Sequence, residues 1–434
     1  MTDVSFVRSE MLPEKAPPLS TTGPVGWLRE NLFSSVANSV MTVITLVAIY
    51  QVLAVFFSWA FQSTWEAESL SQCREIFAAT GVEGAHGGAC WGVIRERFSQ
   101  LIFGFYPVEL RWRPVLTFLL LLAAIAPVLF TWAPRKLLYL TAVFPFLGAW
   151  LLWGGAIWNP LVAMAGFAIG FFAYRFVSGA FGPLIGVICA ALAPVIWWIF
   201  LAGPVAGLLT SIIPLGIEAV ESRNFGGFML SITIGVVAIG ASLPLGIVLA
   251  LGRQSDLFIV KSLCVGFIEF IRGVPLITLL FVASTLLNIF MPPGTNFDII
   301  LRVMIMVTLF ASAYMAEVIR GGLAALPTGQ YEAADALGLD YWKAQRLIIM
   351  PQALKISIPG IVSTFIGVFK DTTLVSIIGL LDPLGLSNAI RADQDWNGIV
   401  WELYGFIALM FFIFCFSMSR YSMYLERKLQ TGHR

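Results

Sequence analysis

The side chains able to do chemistry are few and stand apart. Glu269, Arg272, Glu317, Lys370 and Asp371 lie inside apolar runs, and Glu332, Asp335 and Asp340 sit in a polar island between two such runs. A charge in lipid costs several kcal/mol, so each of the first five should face a cavity, a partner chain or an opposite charge. Lys370 and Asp371, with the hydroxyls of Thr372 and Thr373 beside them, offer a cation and an anion to oppositely charged groups of a bound molecule. Adjacent helical residues point about 100° apart, so the two are no simple face-to-face pair. A charge network with other helices is the other reading of these groups. Glu269 and Arg272, three apart, share one helix face ahead of Gly273 and Pro275, which loosen a helix. They can bond each other, line a path or brace a gate. Glu317 and Arg320 have the same spacing at the inner end of an apolar run and read as a structural salt bridge.

Other chemistries are excluded by what surrounds these residues. Five cysteines, Cys73, Cys90, Cys189, Cys264 and Cys415, are too few and scattered for a zinc site or a disulfide scaffold, and the two histidines are His86 and His433. No metal or cofactor is expected in this chain, and His86 reads as a loop residue. A net charge of +1 without a concentrated basic face argues against nucleic acid. None of the lysines follows a glycine, so the chain has no Gly-Lys phosphate loop. A nucleotide triphosphate held by such a loop is therefore not expected in this chain.

The positioning elements are membrane helices. With 59% hydrophobic and 12% charged residues and a mean hydropathy of +0.87, the 434-residue chain reads as an all-α integral membrane protein. Hydropathy places about ten transmembrane helices near 35–61, 115–133, 137–154, 160–174, 182–202, 228–251, 263–287, 298–317, 357–380 and 402–423. The fourth is short. Residues 203–226, with Pro204 and Pro214, read as an outer connection. The chain divides into a cytoplasmic segment 1–34, an N-terminal membrane extension 35–222 with an outer loop 62–114, and a core 223–434 that holds the intramembrane charges. The first 23 residues contain Asp3, Glu10 and Glu14 and lack the apolar stretch of a cleaved signal. With both termini inside, the inner segments carry roughly twice as many lysines and arginines as the outer ones. Cys73 and Cys90 then share a loop facing an oxidising compartment if the host has a periplasm, where they are either bonded or free.

Residues 320–355 contain no span and are long enough for structure of their own. Thr328 is an N-cap candidate, the Glu332-Ala333-Ala334 stretch favours helix, and Gly338 ends it. Asp340 can cap a second helix, which Pro351 limits. Small alanines beside a carboxylate let another protein's backbone approach closely. A helix lying on the bilayer is the competing reading, although this one lacks the usual lysine, arginine and bulky apolar residues.

The same residues, Glu332-Ala333-Ala334, then Gly338, then Ile348 to Pro351, resemble the loop that marks permease subunits of ATP-binding-cassette importers, with Met350 in place of the usual leucine. Ala313 to Gly322, Glu269 to Pro275, Lys370 to Ser376 and Tyr424 to Arg427 look like its polar amino-acid (histidine/glutamine-type) branch, over about 225–434. Gly88 to Phe98 resembles the large permease subunit of bacterial general L-amino-acid transport systems. The resemblance implies a C-terminal five-helix permease core in a bacterial inner membrane, without chemistry of its own. Glu332, Ala333, Ala334 and Gly338 would be the residues that couple to a cytoplasmic ATPase subunit. A homologous second permease subunit would complete the pore, and a periplasmic amino-acid-binding protein would deliver an L-amino acid. An ion-gradient-driven secondary transporter is the alternative, for which the intramembrane carboxylates would be ion sites. That reading predicts matched polar halves, whereas these charges occupy one half.

Overall fold

The computed structural model describes residues 23–81, 88–286 and 298–430, so His86, His433 and most of the expected N-terminal segment lie outside it. The chain forms two compact units, Met1–Gly92 and Val93–Arg434.

In the first unit, α1 (Gly23–Asn31) precedes α2 (Val36–Phe61), whose 26 residues span about 39 Å at 1.5 Å each, enough for a hydrocarbon core. Ser35 caps α2 by accepting from the Asn38 amide at 3.2 Å. None of its residues is buried and all its faces are apolar, as a helix surrounded by lipid requires. Beyond it, α3 (Leu70–Thr80) is stapled by a Cys73–Cys90 disulfide with a Cα–Cα distance of 6.1 Å, so these cysteines are bonded. Ala89 donates to the Trp59 carbonyl and Thr64 to the Ala89 carbonyl, while Trp91 packs between Trp59 and Trp65. Such aromatic clusters favour the membrane–water boundary.

The second unit opens with α4, which starts at the unit boundary (Gly92–Phe103), followed by α5 (Trp112–Leu129), α6 (Leu137–Trp153) and α7 (Trp158–Phe181). Helices α8 (Pro183–Ile196) and α9 (Ala202–Ile212) are joined by a π turn. The core follows as α10 (Gly227–Gln254), α11 (Phe258–Gly273), α12 (Leu276–Phe281), α13 (Ile299–Ala324), α14 (Thr328–Ala336), α15 (Tyr341–Ala344), α16 (Met350–Asp371), α17 (Pro383–Arg391) and α18 (Trp401–Gln430). The only strands among the described residues are the two-residue pair β1 (Gly155–Ala156) and β2 (Gly216–Ile217).

Among the described residues, eight helices are long and apolar enough to cross a membrane; a bent pair makes nine, and α6 is a shorter apolar helix. All ten expected segments are helical, with three corrections. Residues 203–212 are not connection but helix, because the π turn carries the span from Ile185 to Ile212 past Pro204. The fourth span is 24 residues long rather than short. The seventh is not straight: α11 and α12 meet at 101°. Pro275 has no amide to donate and forces Val274 into extended backbone, so the helix cannot continue through Gly273.

Helix α13 is the most buried span, at 56% of its apolar window, against 33% for α10 and 17% for α18. It forms the axis of the core, with apolar clusters at both ends. One gathers Tyr106, Phe225, Leu230, Ile300 and Val303; the other gathers Ala250, Met315, Ile319, Ile349 and Ala353.

The first cluster joins extension to core. Asp298 caps α13 by accepting from the Ile300 and Leu301 amides, and also accepts from the Ser222 hydroxyl, which accepts in turn from the Trp153 indole at 2.7 Å. Trp153 stacks on Phe225 at 4.5 Å, and Tyr106 meets Phe225 edge-on. Backbones touch here: a Cβ on Gly104 would lie 2.4 Å from Gly226, and one on Gly227, at φ +59°, only 2.1 Å from the Leu101 carbonyl oxygen. Only glycine permits this approach.

Candidate functional site

The polar island folds as two short helices strung between α13 and α16. Thr328 is the first helical residue rather than the cap; Pro327 holds the cap position, and no side chain caps there. Proline's fixed φ suits a helix entry, and its missing amide is no loss outside the first turn. Gly338 ends α14 at φ +66°, its amide donating to the Asp335 carbonyl at 2.9 Å. Open space surrounds its Cβ position, so backbone conformation rather than crowding calls for glycine.

Asp340 caps α15 as expected, accepting from the Lys343 amide at 3.0 Å. It also pairs with the Lys343 ammonium at 2.8 Å, and the bonds from Lys343 hold its carboxyl below the ordinary aspartate value. Pro351 does not limit this second helix. A π turn at Gln345–Ile349 carries the chain from α15 into α16, where Pro351 occupies the first turn and needs no partner for its nitrogen. One near-continuous helix therefore runs from Tyr341 to Ile378.

The island presents a mixed surface. Glu332 and Ala333 are exposed, whereas Ala334 is 1% exposed and packs inward. Leu337, Tyr341, Trp342 and Leu347 stand exposed nearby, the last three in the first two turns of the helix that runs from Tyr341 to Ile378. Gln352 of α16 donates to the Gln330 side chain of α14 at 2.9 Å. Ser357 of α16 donates to the Val318 carbonyl of α13 at 3.2 Å, so loop, α13 and α16 are joined to one another.

The intramembrane charges divide into two groups. Glu317 of α13 is bonded to three arginines: Arg253 of α10 at 2.9 Å, Arg272 of α11 at 3.5 Å and Arg320 at 3.1 Å. Its expected pairing with Arg320 is present but is one of three. Glu269 and Arg272 do not pair with each other: Glu269 takes Arg253 at 2.8 Å, and Arg272 also lies over the Tyr314 ring at 5.6 Å. The helix spacing that put them on one face was right, but Glu317 and Arg253 on neighbouring helices offer nearer partners. Sequence reasoning gave Arg253 no site role, because it is remote from the others along the chain.

Lys370 and Asp371 form the second group, at the end of α16 where the helix tightens into a 3-10 segment, Thr372–Ile378. Among the described residues neither makes an ion pair; Lys370 is exposed and Asp371 half-buried. The threonine hydroxyls are turned to their own backbone, Thr372 donating to the Phe369 carbonyl at 2.8 Å and Thr373 to the Lys370 carbonyl at 2.9 Å. Thr372 is wholly buried. No described ion pair joins this group to the Glu317 cluster.

A polar loop with an exposed carboxylate and alanine is thus built into a bundle of membrane-spanning helices. The family described as binding-protein-dependent transport system inner membrane component matches residues 242–431. Over its whole length the chain is 58% identical to the glutamate/glutamine/aspartate/asparagine transport system permease protein of Rhodobacter capsulatus, all of which is covered. It is 41% identical to an inner membrane amino-acid ABC transporter permease protein of Escherichia coli, over 94% of this chain and 93% of that one. A probable glutamine ABC transporter permease of Bacillus subtilis is 29% identical, with 95% of its length matched by 49% of this chain. The chain belongs to the family of amino-acid ABC transporter permeases. It is a multi-pass membrane protein and the permease component of an importer.

Proposed function

We propose that this chain, paired with a homologous permease subunit, forms the path by which acidic and amide L-amino acids, delivered by a periplasmic binding protein, cross a bacterial inner membrane. A separate cytoplasmic ATPase docks on Glu332, Ala333 and Gly338 of the coupling loop. The observation that carries this reading is the loop itself: an ordered knob with an exposed carboxylate and alanine, an apolar rim, and a hydrogen-bonded connection to the most buried helix of the core. Both termini are then cytoplasmic, which the distribution of arginine and lysine favours and the Cys73–Cys90 disulfide on the opposite side supports. Substrate class rests on the relative named for glutamate, glutamine, aspartate and asparagine transport.

Within the path, Lys370 and Asp371 are the substrate contacts we favour, because they are charged and have no ion-pair partner among the described residues, whereas Glu269 and Arg272 are engaged by other helices. Thr373 stands beside them; buried Thr372 supports their backbone. The test is reconstitution of the chain with its ATPase, second permease and binding protein, following labelled glutamate and glutamine. Uptake that requires ATP hydrolysis is expected. Uptake by this chain alone, driven by a proton or sodium gradient, would overturn the proposal.

A further inference from the structure

Resting on that reading, we propose that Glu317 is the positioning residue that carries movement of the docked coupling loop to the bent seventh span.

The connectivity is direct. Helix α13 leads into α14 across three residues, and α15 leads through the π turn into α16, so a pull on the loop acts on α13 and α16 together. Those two helices are already joined, by Ser357 to Val318 and by Gly360, whose Cβ position lies 2.7 Å from Val318. Helices α10 and α11 have no covalent link to the loop. Their polar ties to the α13–α16 pair among the described ion pairs run through Glu317: Arg253 from the last turn of α10, and Arg272 from the last turn of α11.

Arg272 immediately precedes Gly273, where the backbone turns through 101°. A displacement of Glu317 is thus applied at the bend, where α12 can reorient without breaking helical hydrogen bonds, since Pro275 donates none. The chemistry of the hub suits repeated movement. Two carboxylates serve three arginines, so the cluster holds a surplus cation, and guanidinium forks can exchange carboxylate oxygens while staying paired. Glu317, with 17% of its side chain accessible, is the least exposed member and the only one bonded to all three arginines.

The experiment uses the assembled transporter with spin labels at Lys261 on α11 and Lys355 on α16, both exposed, in a background lacking Cys189, Cys264 and Cys415. In the wild type, the distance between labels should keep one narrow distribution with and without vanadate-trapped nucleotide, because the hub moves α11 with α16. In E317Q the distribution should broaden or shift on trapping, and uptake per ATP hydrolysed should fall about tenfold, within the usual range of coupling between sites. E317D, which keeps the charge, should recover most of that ratio. An unchanged distribution and ratio in E317Q would overturn the proposal, as would a distance that changes in the wild type. If E317Q does not assemble, R272Q leaves two arginines on the carboxylate and gives the same reading: a broadened distance supports the proposal, and an unchanged one refutes it. Absence of ATP-driven uptake in the wild type would instead refute the function proposed above, while the distance measurement still decides the role of Glu317.

Discussion

The two ends of α13 are held by different physics. At the Ala324 end, Glu317 is bonded to long, partly solvated arginines from two other helices and its own. At the Ile299 end, Asp298 caps the helix within a packed set of Ser222, Trp153, Phe225 and Tyr106, beside glycine backbones in contact. Ion pairs between flexible side chains are weak individually, about 0–1 kcal/mol, and long side chains let them stay paired while the helices they join move together. Close-packed aromatics and backbone contacts lose their energy over such a shift, since interiors are bistable rather than deformable. The difference marks one end as a joint that can move and the other as an anchor, and it gives the N-terminal extension a physical role in fixing that anchor.

Four substitutions test this contrast. The largest effect is expected from Glu332→Lys at the moving end: ATPase association and transport should both be lost while membrane insertion is normal, as read by co-purification and uptake. Normal uptake would remove the loop from the coupling path. At the anchor, Gly227→Val places a branched side chain at φ +59° and against the Leu101 carbonyl. It should cost about 3 kcal/mol or more, seen as a lowered thermal midpoint in detergent or failure to accumulate.

Trp153→Phe keeps an aromatic ring over Phe225 but removes the indole donor to Ser222. A loss of about 1 kcal/mol is expected for that bond, measured as a thermal shift with ATPase association unchanged. If transport falls more than stability, the anchor is not static. The smallest effect should come from Arg97→Gln. Arg97 reaches Asp393 at 2.6 Å between half-exposed side chains, joining α4 to the segment after α17. Its removal should cost about 0–1 kcal/mol and slightly reduce the salt dependence of the thermal midpoint, read by repeating the melt at low and high salt.

How much of this was legible depended on range along the chain. Among the described residues the expected apolar segments are helical, because a run of about 20 apolar residues is the length of a membrane helix and twice that of a barrel strand. The helix ends within the polar loop were equally plain, since Gly338 and Asp340 act within a few residues of themselves. Thr328 and Pro351 misled for a local reason: each had a legitimate alternative role one position or one helix away. Glu269 and Arg272 misled for a tertiary one, being matched in spacing yet claimed by partners on α10 and α13.

By itself the sequence determined the solvent, the fold class, the family, the two short helices of the polar loop and the absence of a Gly-Lys phosphate loop, because composition, periodicity and short motifs are properties of neighbours along the chain. Only the tertiary structure decided that Cys73 and Cys90 are bonded, that the seventh span bends at Pro275, that Glu317 gathers three arginines, and that Trp153 is tied to the cap of α13. Those facts depend on which of several chemically equivalent partners packing brings within reach, and spacing in sequence does not encode that distance.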